Sequence, residues 1–260
     1  CKNATNQPFA VNIPLLYPNI EEHIKSIIDL KVPIVFTSAG NPNTWIKELK
    51  QKNIKVVHVV SSVKFAIKAE SSGVDAIVAE GFEAGGHNGR EETTTMCLVP
   101  DVAKAINIPL IAAGGIIDGK SMLAAMILGA DGVQMGTRFV ASKESSAHEN
   151  FKNMVLKAKE GDTRLTLKEI TPVRMMKNNF FQELEELYKI NPSKEQLLNK
   201  LGRGRAKLGM FEGNLEAGEL EIGQASSQIN KVFTAQEIIQ QIVTEFNSIK
   251  SQISLVNKFN

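Results

Sequence analysis

The segment Glu80-Gly81-Phe82-Glu83-Ala84-Gly85-Gly86-His87-Asn88-Gly89 sets one imidazole and two carboxyl groups among glycines. A histidine flanked by Gly85, Gly86 and Gly89 has no helix or strand of its own to pack in, so its ring is expected to point into a pocket. Imidazole titrates near neutrality and is the default group for proton transfer. His23, His58 and His148 read as a helix-surface, a strand and a loop residue. Two further segments, Ile108–Ile116 and Gly132–Arg138, each end an apolar run in glycine just before a helical pattern. Glycine lets a ligand approach the backbone, and amides at a helix start suit a phosphate. Two such loops in tandem predict a phosphate cradle.

Other chemistries fit poorly. Glu83 and Glu91 lie four residues either side of His87, but in a glycine-rich loop rather than on a helix, and no His-Glu-x-x-His motif occurs. No metal site is expected. A serine hydrolase is excluded by the lack of a Gly-x-Ser-x-Gly elbow. A nucleophilic cysteine of the IMP dehydrogenase type would have to be Cys97, which falls beside an expected helix start at 93–98. Cys97 reads instead as a small buried hydrophobe.

The elements that must position these groups are legible in the first two-thirds of the chain. Apolar runs at Phe9–Ile13, Pro33–Thr37, Lys55–Val60, Asp75–Ala79, Pro109–Ala112 and Gly132–Met135 predict six strands. They are continuous rather than alternating, as in strands covered on both faces. Helical spacing separates them: Ile20, Ile24, Ile27 and Ile28; Val63, Ala66 and Ile67; Val99, Val102, Ala103 and Ile106. Gly73 and Gly129 stand where a helix ends and a strand begins. This βα alternation predicts a parallel sheet, and in such folds ligands bind beyond the C-terminal ends of the strands.

In a (β/α)₈ barrel the loops after the last two strands build the phosphate site, which makes the runs at 109–112 and 132–135 the seventh and eighth strands. The expected fold is therefore an α/β (β/α)₈ TIM barrel lacking its first two βα units in this chain, in keeping with a start at Cys1-Lys2-Asn3 rather than Met. Residues 1–160 form the barrel portion. Residues 161–212 read as a helical insertion without strands, with helices near Phe180–Tyr188 and Lys194–Leu201. Residues 213–260 form a return loop and a last barrel helix, opened by a Thr234-x-x-Glu237 capping box.

Composition excludes several classes. The 260 residues are 43% hydrophobic and 22% charged, with 30 Lys+Arg against 28 Asp+Glu. No segment concentrates the basic residues into a track for nucleic acid. No apolar run reaches the roughly 18 residues that a membrane span needs. Two cysteines make no disulfide framework and fit a reducing, cytoplasmic setting.

Taken together, Val11-Asn12-Ile13, Ser38 to Pro42, Glu80 to His87, Ala112 to Ile116, Leu128 to Phe139, Lys143-Glu144-Ser145 and Gly223-Gln224 resemble the flavin-dependent nitronate monooxygenase family. That family includes the related enoyl-[acyl-carrier-protein] reductase II. The resemblance implies a barrel holding FMN under a helical subdomain. It assigns Gly114, Gly115, Gln134, Met135, Gly136 and Thr137 to the FMN phosphate and ribityl chain. Asn12, Glu80 and Gly85 would line the isoalloxazine side, and His87 would face the substrate. The family's glycine-rich turn on its first strand is not in this sequence. The implied substrates are small molecules: an alkyl nitronate oxidised with dioxygen, or, as the alternative, an enoyl thioester reduced with NAD(P)H. A homodimer is compatible with the family pattern. A reading of another class is a barrel that binds a flavin or phosphorylated ligand without catalysis; the intact His87 loop speaks against it.

Overall fold

The computed structural model describes residues 1–254. The chain runs through β1 (Ala10–Pro14), β2 (Ile34–Ser38), β3 (Lys55–Val60) and β4 (Ala76–Glu80). A two-residue strand, β5 (Gly86–His87), belongs to a second sheet, and the main sheet then continues with β6 (Leu110–Ala113) and β7 (Gly132–Gln134). The six strands of the main sheet are parallel, in the order β1-β2-β3-β4-β6-β7. Helices α1 (Ile20–Asp29), α2 (Asn43–Gln51), α3 (Val63–Ser71), α4 (Thr95–Ala105) and α5 (Gly119–Ile127) connect successive strands. All six expected strands are present, each within a residue or so of its expected ends.

The strands' continuous apolar character has two destinations. Val35, Val56, Ile77 and Ala112 alternate to the helix side, where they join Ile24, Leu49, Ala66 and Val99 in the main core. Thr37 and His58 sit on that side too, in register, with the Thr37 hydroxyl 2.7 Å from His58 Nδ1. Burial drives the His58 imidazole down to about 4, so it is a neutral core residue. Phe36, Val57, Val78 and Ala113 face the other way in a smaller cluster. Two residues beyond Val78, the same alternation turns Glu80 to this inner face. The register pairs Glu80 with Ala113 and Ala113 with Gln134, a row across the C-terminal ends of β4, β6 and β7.

Two helix-to-strand turns are built alike. Gly73 and Gly129 take positive φ (89° and 110°), and an aspartate follows two residues later. Asp75 donates its amide to Val56 O at 2.7 Å and accepts the Val56 amide at 2.8 Å. Asp131 makes the same pair with Leu110, at 2.7 and 2.8 Å. Each carboxylate thus clamps the start of its strand to the neighbouring strand.

After β7 the chain forms α6 (Thr137–Val140), α7 (Glu149–Leu156), β8 (Thr163–Thr166), β9 (Val173–Met176), α8 (Asn179–Tyr188), α9 (Lys194–Leu201), α10 (Arg205–Met210) and α11 (Ala235–Ser254). The insertion is therefore not purely helical: β8 and β9 pair antiparallel, and β9 pairs antiparallel with β5. His87, expected to lie outside any strand, is in β5 opposite Val173. Cys97 is exposed, not buried. The buried stripe of α4 is Thr95, Leu98, Val99 and Val102, which leaves Cys97 on the outer face. The expected capping box at the start of α11 is present: the Glu237 carboxylate accepts from the Thr234 amide at 2.7 Å. α11 docks on α5, where Glu245 accepts the Gly119 amide at 2.9 Å. Among the described residues no helix is long and apolar enough to cross a membrane.

Burial opposes ionisation of Asp75, but hydrogen bonds from Lys50, the Val56 amide and Lys55, with the Lys50 charge, outweigh it and hold the carboxyl below its usual range. Asp75→Asn is expected to lower the unfolding free energy by about 1–2 kcal/mol at neutral pH, measured by urea denaturation. Because the folded-state value is depressed, the difference between the two proteins is complete above the ordinary carboxylate range. It shrinks as pH falls through the folded carboxyl's titration. A difference that persists unchanged into strong acid contradicts this account.

Candidate functional site

A cavity of about 260 Å³ opens at the C-terminal ends of β4, β6 and β7. Its floor is the Glu80, Ala113 and Gln134 row, and Gly114, Gly115, Gly136, Thr137 and Gly85 complete one side. All of these except Ala113, seven in number, are among the nine residues assigned by resemblance to the cofactor. Met135 and Asn12 are not brought in. Met135 alternates to the helix side and packs on the main core. Asn12 is exposed on the edge strand β1, in register with Phe36 and three strands from Glu80. A second cavity, of about 190 Å³ beside α11, contains none of the expected site residues.

The glycine loop after β6 is shaped by what lies beneath it. Gly114 takes φ +95°, and a Cβ there would stand 2.8 Å from Gly81 O and 2.9 Å from Thr95 Oγ1. Glu83 anchors the loop after β4 by accepting the Thr95 amide at 2.9 Å and lying 2.8 Å from its hydroxyl. Thr95 opens α4, so the carboxylate also meets the positive end of that helix. Nothing lies within 4 Å of a Cβ placed on Gly136, so its surroundings are open. The chain turns there into α6, whose first amides have no partner within the helix.

The third wall comes from residues 219–224, to which the sequence assigned no role beyond the Gly223-Gln224 match. Gln224 donates its amide to Glu83 O at 2.9 Å, and Gly223 donates to Thr137 Oγ1 at 3.1 Å. A Cβ on Gly85 would collide with the Ile222 carbonyl carbon and stand 2.6 Å from Gly223 N. This contact puts Glu221 into the cavity wall. Its carboxylate covers Gly86, which has φ +76° and whose Cβ would lie 2.7 Å from Glu221 Oε2. His87 follows, exposed at the rim rather than pointing into the cavity.

Arg174 ties this loop to the second sheet. It lies opposite Gly86, only 1% exposed, with its guanidinium 4.4 Å from the centre of the Phe82 ring and Nε donating to Phe82 O at 3.1 Å.

The acids differ in setting. Burial pushes the Glu80 carboxyl up to about 7. Burial also raises Glu221, opposed by the charge of His87. Glu219, buried two residues before Glu221, rises to about 7 through burial and the neighbouring Glu221, against the pull of Arg205. An acid raised to about 7, as Glu80 is in the cavity floor, is suited to exchanging protons with a bound molecule.

Gly86→Ala is expected to cost about 1–2 kcal/mol for the left-handed backbone, plus a further loss from the collision with Glu221. Adding Glu221→Ala should recover the second part and leave the first, as read by a double-mutant cycle in urea. Strict additivity of the two changes contradicts the contact.

The nitronate monooxygenase family model matches residues 1–245. A probable nitronate monooxygenase of Staphylococcus saprophyticus is 36% identical over 260 residues, covering 94% of this chain and 72% of the relative. One from Staphylococcus aureus (strain MRSA252) is 37% identical over 237 residues, covering 87% of this chain and 66% of the relative. Among solved structures, FabK from Thermotoga maritima superposes with TM-score 0.90 at 41% identity, covering 97% of this chain and 80% of that one. A nitroalkane oxidase from Streptomyces ansochromogenes shares the fold, with TM-score 0.83 at 24% identity over 97% of this chain and 84% of that one. These neighbours are TIM barrels, and the six-stranded parallel sheet is part of that architecture. The chain belongs to the nitronate monooxygenase family.

Proposed function

We propose that this chain is an FMN-dependent oxidoreductase and that its substrate is an enoyl thioester, reduced at the expense of NAD(P)H. The observation that carries the flavin reading is the cavity itself. Its floor is the Glu80, Ala113 and Gln134 row, and at Gly136 the wall opens onto free space that a side chain would fill. A built concavity at the C-terminal ends of parallel strands is where this architecture binds phosphorylated cofactors. The residues present fit FMN: Gly136 and Thr137 would hold the phosphate, Gly114 and Gly115 would admit the ribityl chain, and Glu80 and Gln134 would flank the ring. When bound, FMN supplies the hydride and electron transfer that no side chain here performs.

The protein's own part is positioning and proton handling. Glu83 holds the loop after β4 against α4, and the segment 219–224 closes it from the far side. His87, exposed on β5, would steady the thioester carbonyl or carry a proton to it. The choice of substrate rests on the similarity to FabK, which is 41% identical over nearly the whole chain. Oxidation of an alkyl nitronate with dioxygen is the second reading, favoured by the family model and by the names of the curated relatives.

An anaerobic visible spectrum separates the readings. Bleaching of the flavin bands by NADPH or NADH, and their return on adding the crotonyl thioester of N-acetylcysteamine, is the expected result. Bleaching by ethyl nitronate alone overturns enoyl reduction in favour of the second reading. A colourless protein that takes up no FMN overturns both. In the reductase reading, His87→Ala retains flavin and loses about 10²-fold or more in kcat; unchanged turnover removes His87 from the chemistry.

A further inference from the structure

The cavity floor holds one carboxyl group that the fold leaves unused. Glu80 ends β4 in one row with Ala113 and Gln134, and it lines the cavity. Among the described residues its carboxyl group has no hydrogen-bond or ion-pair partner. Glu83, three residues on, shows the contrast: its carboxylate is taken up by the amide and hydroxyl of Thr95. The flanking strands bring no other charge to this face. Ala113 and Gln134 are neutral, and His58 of β3 lies on the helix side of the sheet beside Thr37. The other titratable group in the lining is Glu221 on the facing segment, on which the charge of His87 acts, with Glu219 two residues before it.

We propose that Glu80 is the proton partner of the bound flavin: its carboxyl group takes up a proton from solvent when the flavin is reduced and returns it when the flavin is reoxidised. The inference rests on the flavin reading above and deepens it, whichever substrate the site takes. Two-electron reduction by a hydride from NAD(P)H adds one negative charge to the ring system. Next to the floor, that charge favours the protonated form of a neighbouring carboxyl group by about tenfold or more. The balance is then two electrons and two protons per flavin, one proton arriving with the electron pair as hydride and one binding to Glu80. Reoxidation carries the electron pair and the ring's charge away, and Glu80 releases its proton. Burial already brings Glu80 up to about 7, so the exchange falls at and just above neutral pH. Gln134, in the same row, can hydrogen-bond but not titrate, which leaves the exchange to Glu80.

Reductive titration of the FMN-loaded protein against reference dyes tests this. In a two-electron couple each additional proton steepens the pH dependence of the midpoint potential by about 30 mV per pH unit. Between about pH 7 and about pH 8 the wild-type protein should show that extra slope, and Glu80→Gln should lose it. The visible band of the oxidised flavin should also titrate at about pH 7 in the wild type and not in Glu80→Gln. Glu221→Gln and His87→Gln should keep both signals. Equal slopes in the wild type and Glu80→Gln overturn the proposal, and so does a slope lost in Glu221→Gln or His87→Gln alone. Should Glu80→Gln fail to fold or to take up FMN, infrared difference spectra of the wild type and Glu221→Gln at about pH 8 decide. Both should gain a protonated-carboxyl stretch on reduction; its absence from the wild type, or its loss in Glu221→Gln, overturns the proposal. Wild-type protein that takes up no FMN overturns the flavin reading and this proposal with it. A flavin-loaded protein whose reduction takes up no extra proton overturns the role of Glu80 alone.

Discussion

The site depends on one close approach of backbone to backbone. Gly85 lies against Ile222 and Gly223 at a separation that leaves no room for a Cβ. That contact lets the Glu83 carbonyl accept the Gln224 amide and turns Glu221 into the cavity wall. It also leaves Gly86 to take a positive φ under the Glu221 carboxylate, so that the next residue, His87, pairs with β9 at the rim. A side chain at Gly85 would separate the two segments and remove the third wall. The parallel sheet supplies the floor, but this junction makes the cavity.

The acids around the junction illustrate how the same functional group acquires different tasks. Glu83 is satisfied by the start of α4 and acts as a strut. Glu80 and Glu221 have no such donors, and burial raises both. Raised to about 7 by burial, Glu80 is an acid that can give or take a proton in the cavity floor.

Much of this was legible in the residues. The six strands followed from apolar runs, because parallel strands buried on both faces carry no competing signal. Glu80 and Gln134 entered through the family resemblance, and the strand register adds Ala113 between them in one row. The strands β8 and β9 were not legible: each has four residues, and β9 reads Val-Arg-Met-Met, with its arginine buried rather than exposed. β9 pairs on its other side with β5, a two-residue strand containing glycine, so no local pattern announces the second sheet. Glu221 and the wall it belongs to were missed for the same reason, since a loop far along the chain gains its place only through packing. Met135 was drawn into the cradle by its neighbours in sequence, although strand alternation beyond Gln134 turns it to the core. Residue type alone favours burial for Cys97, whereas its helical phase sets it on the exposed face of α4.

The central claim is that FMN occupies the cavity between the β4, β6 and β7 ends and the 219–224 wall. A crystal structure of the protein grown with FMN tests it most directly. Phosphate density is expected at Gly136 and Thr137, with the flavin ring between the Glu80 and Gln134 floor and the Glu221 segment. Flavin density elsewhere, such as in the cavity beside α11, or a 219–224 segment displaced from Gly85 when the cofactor is bound, would contradict it.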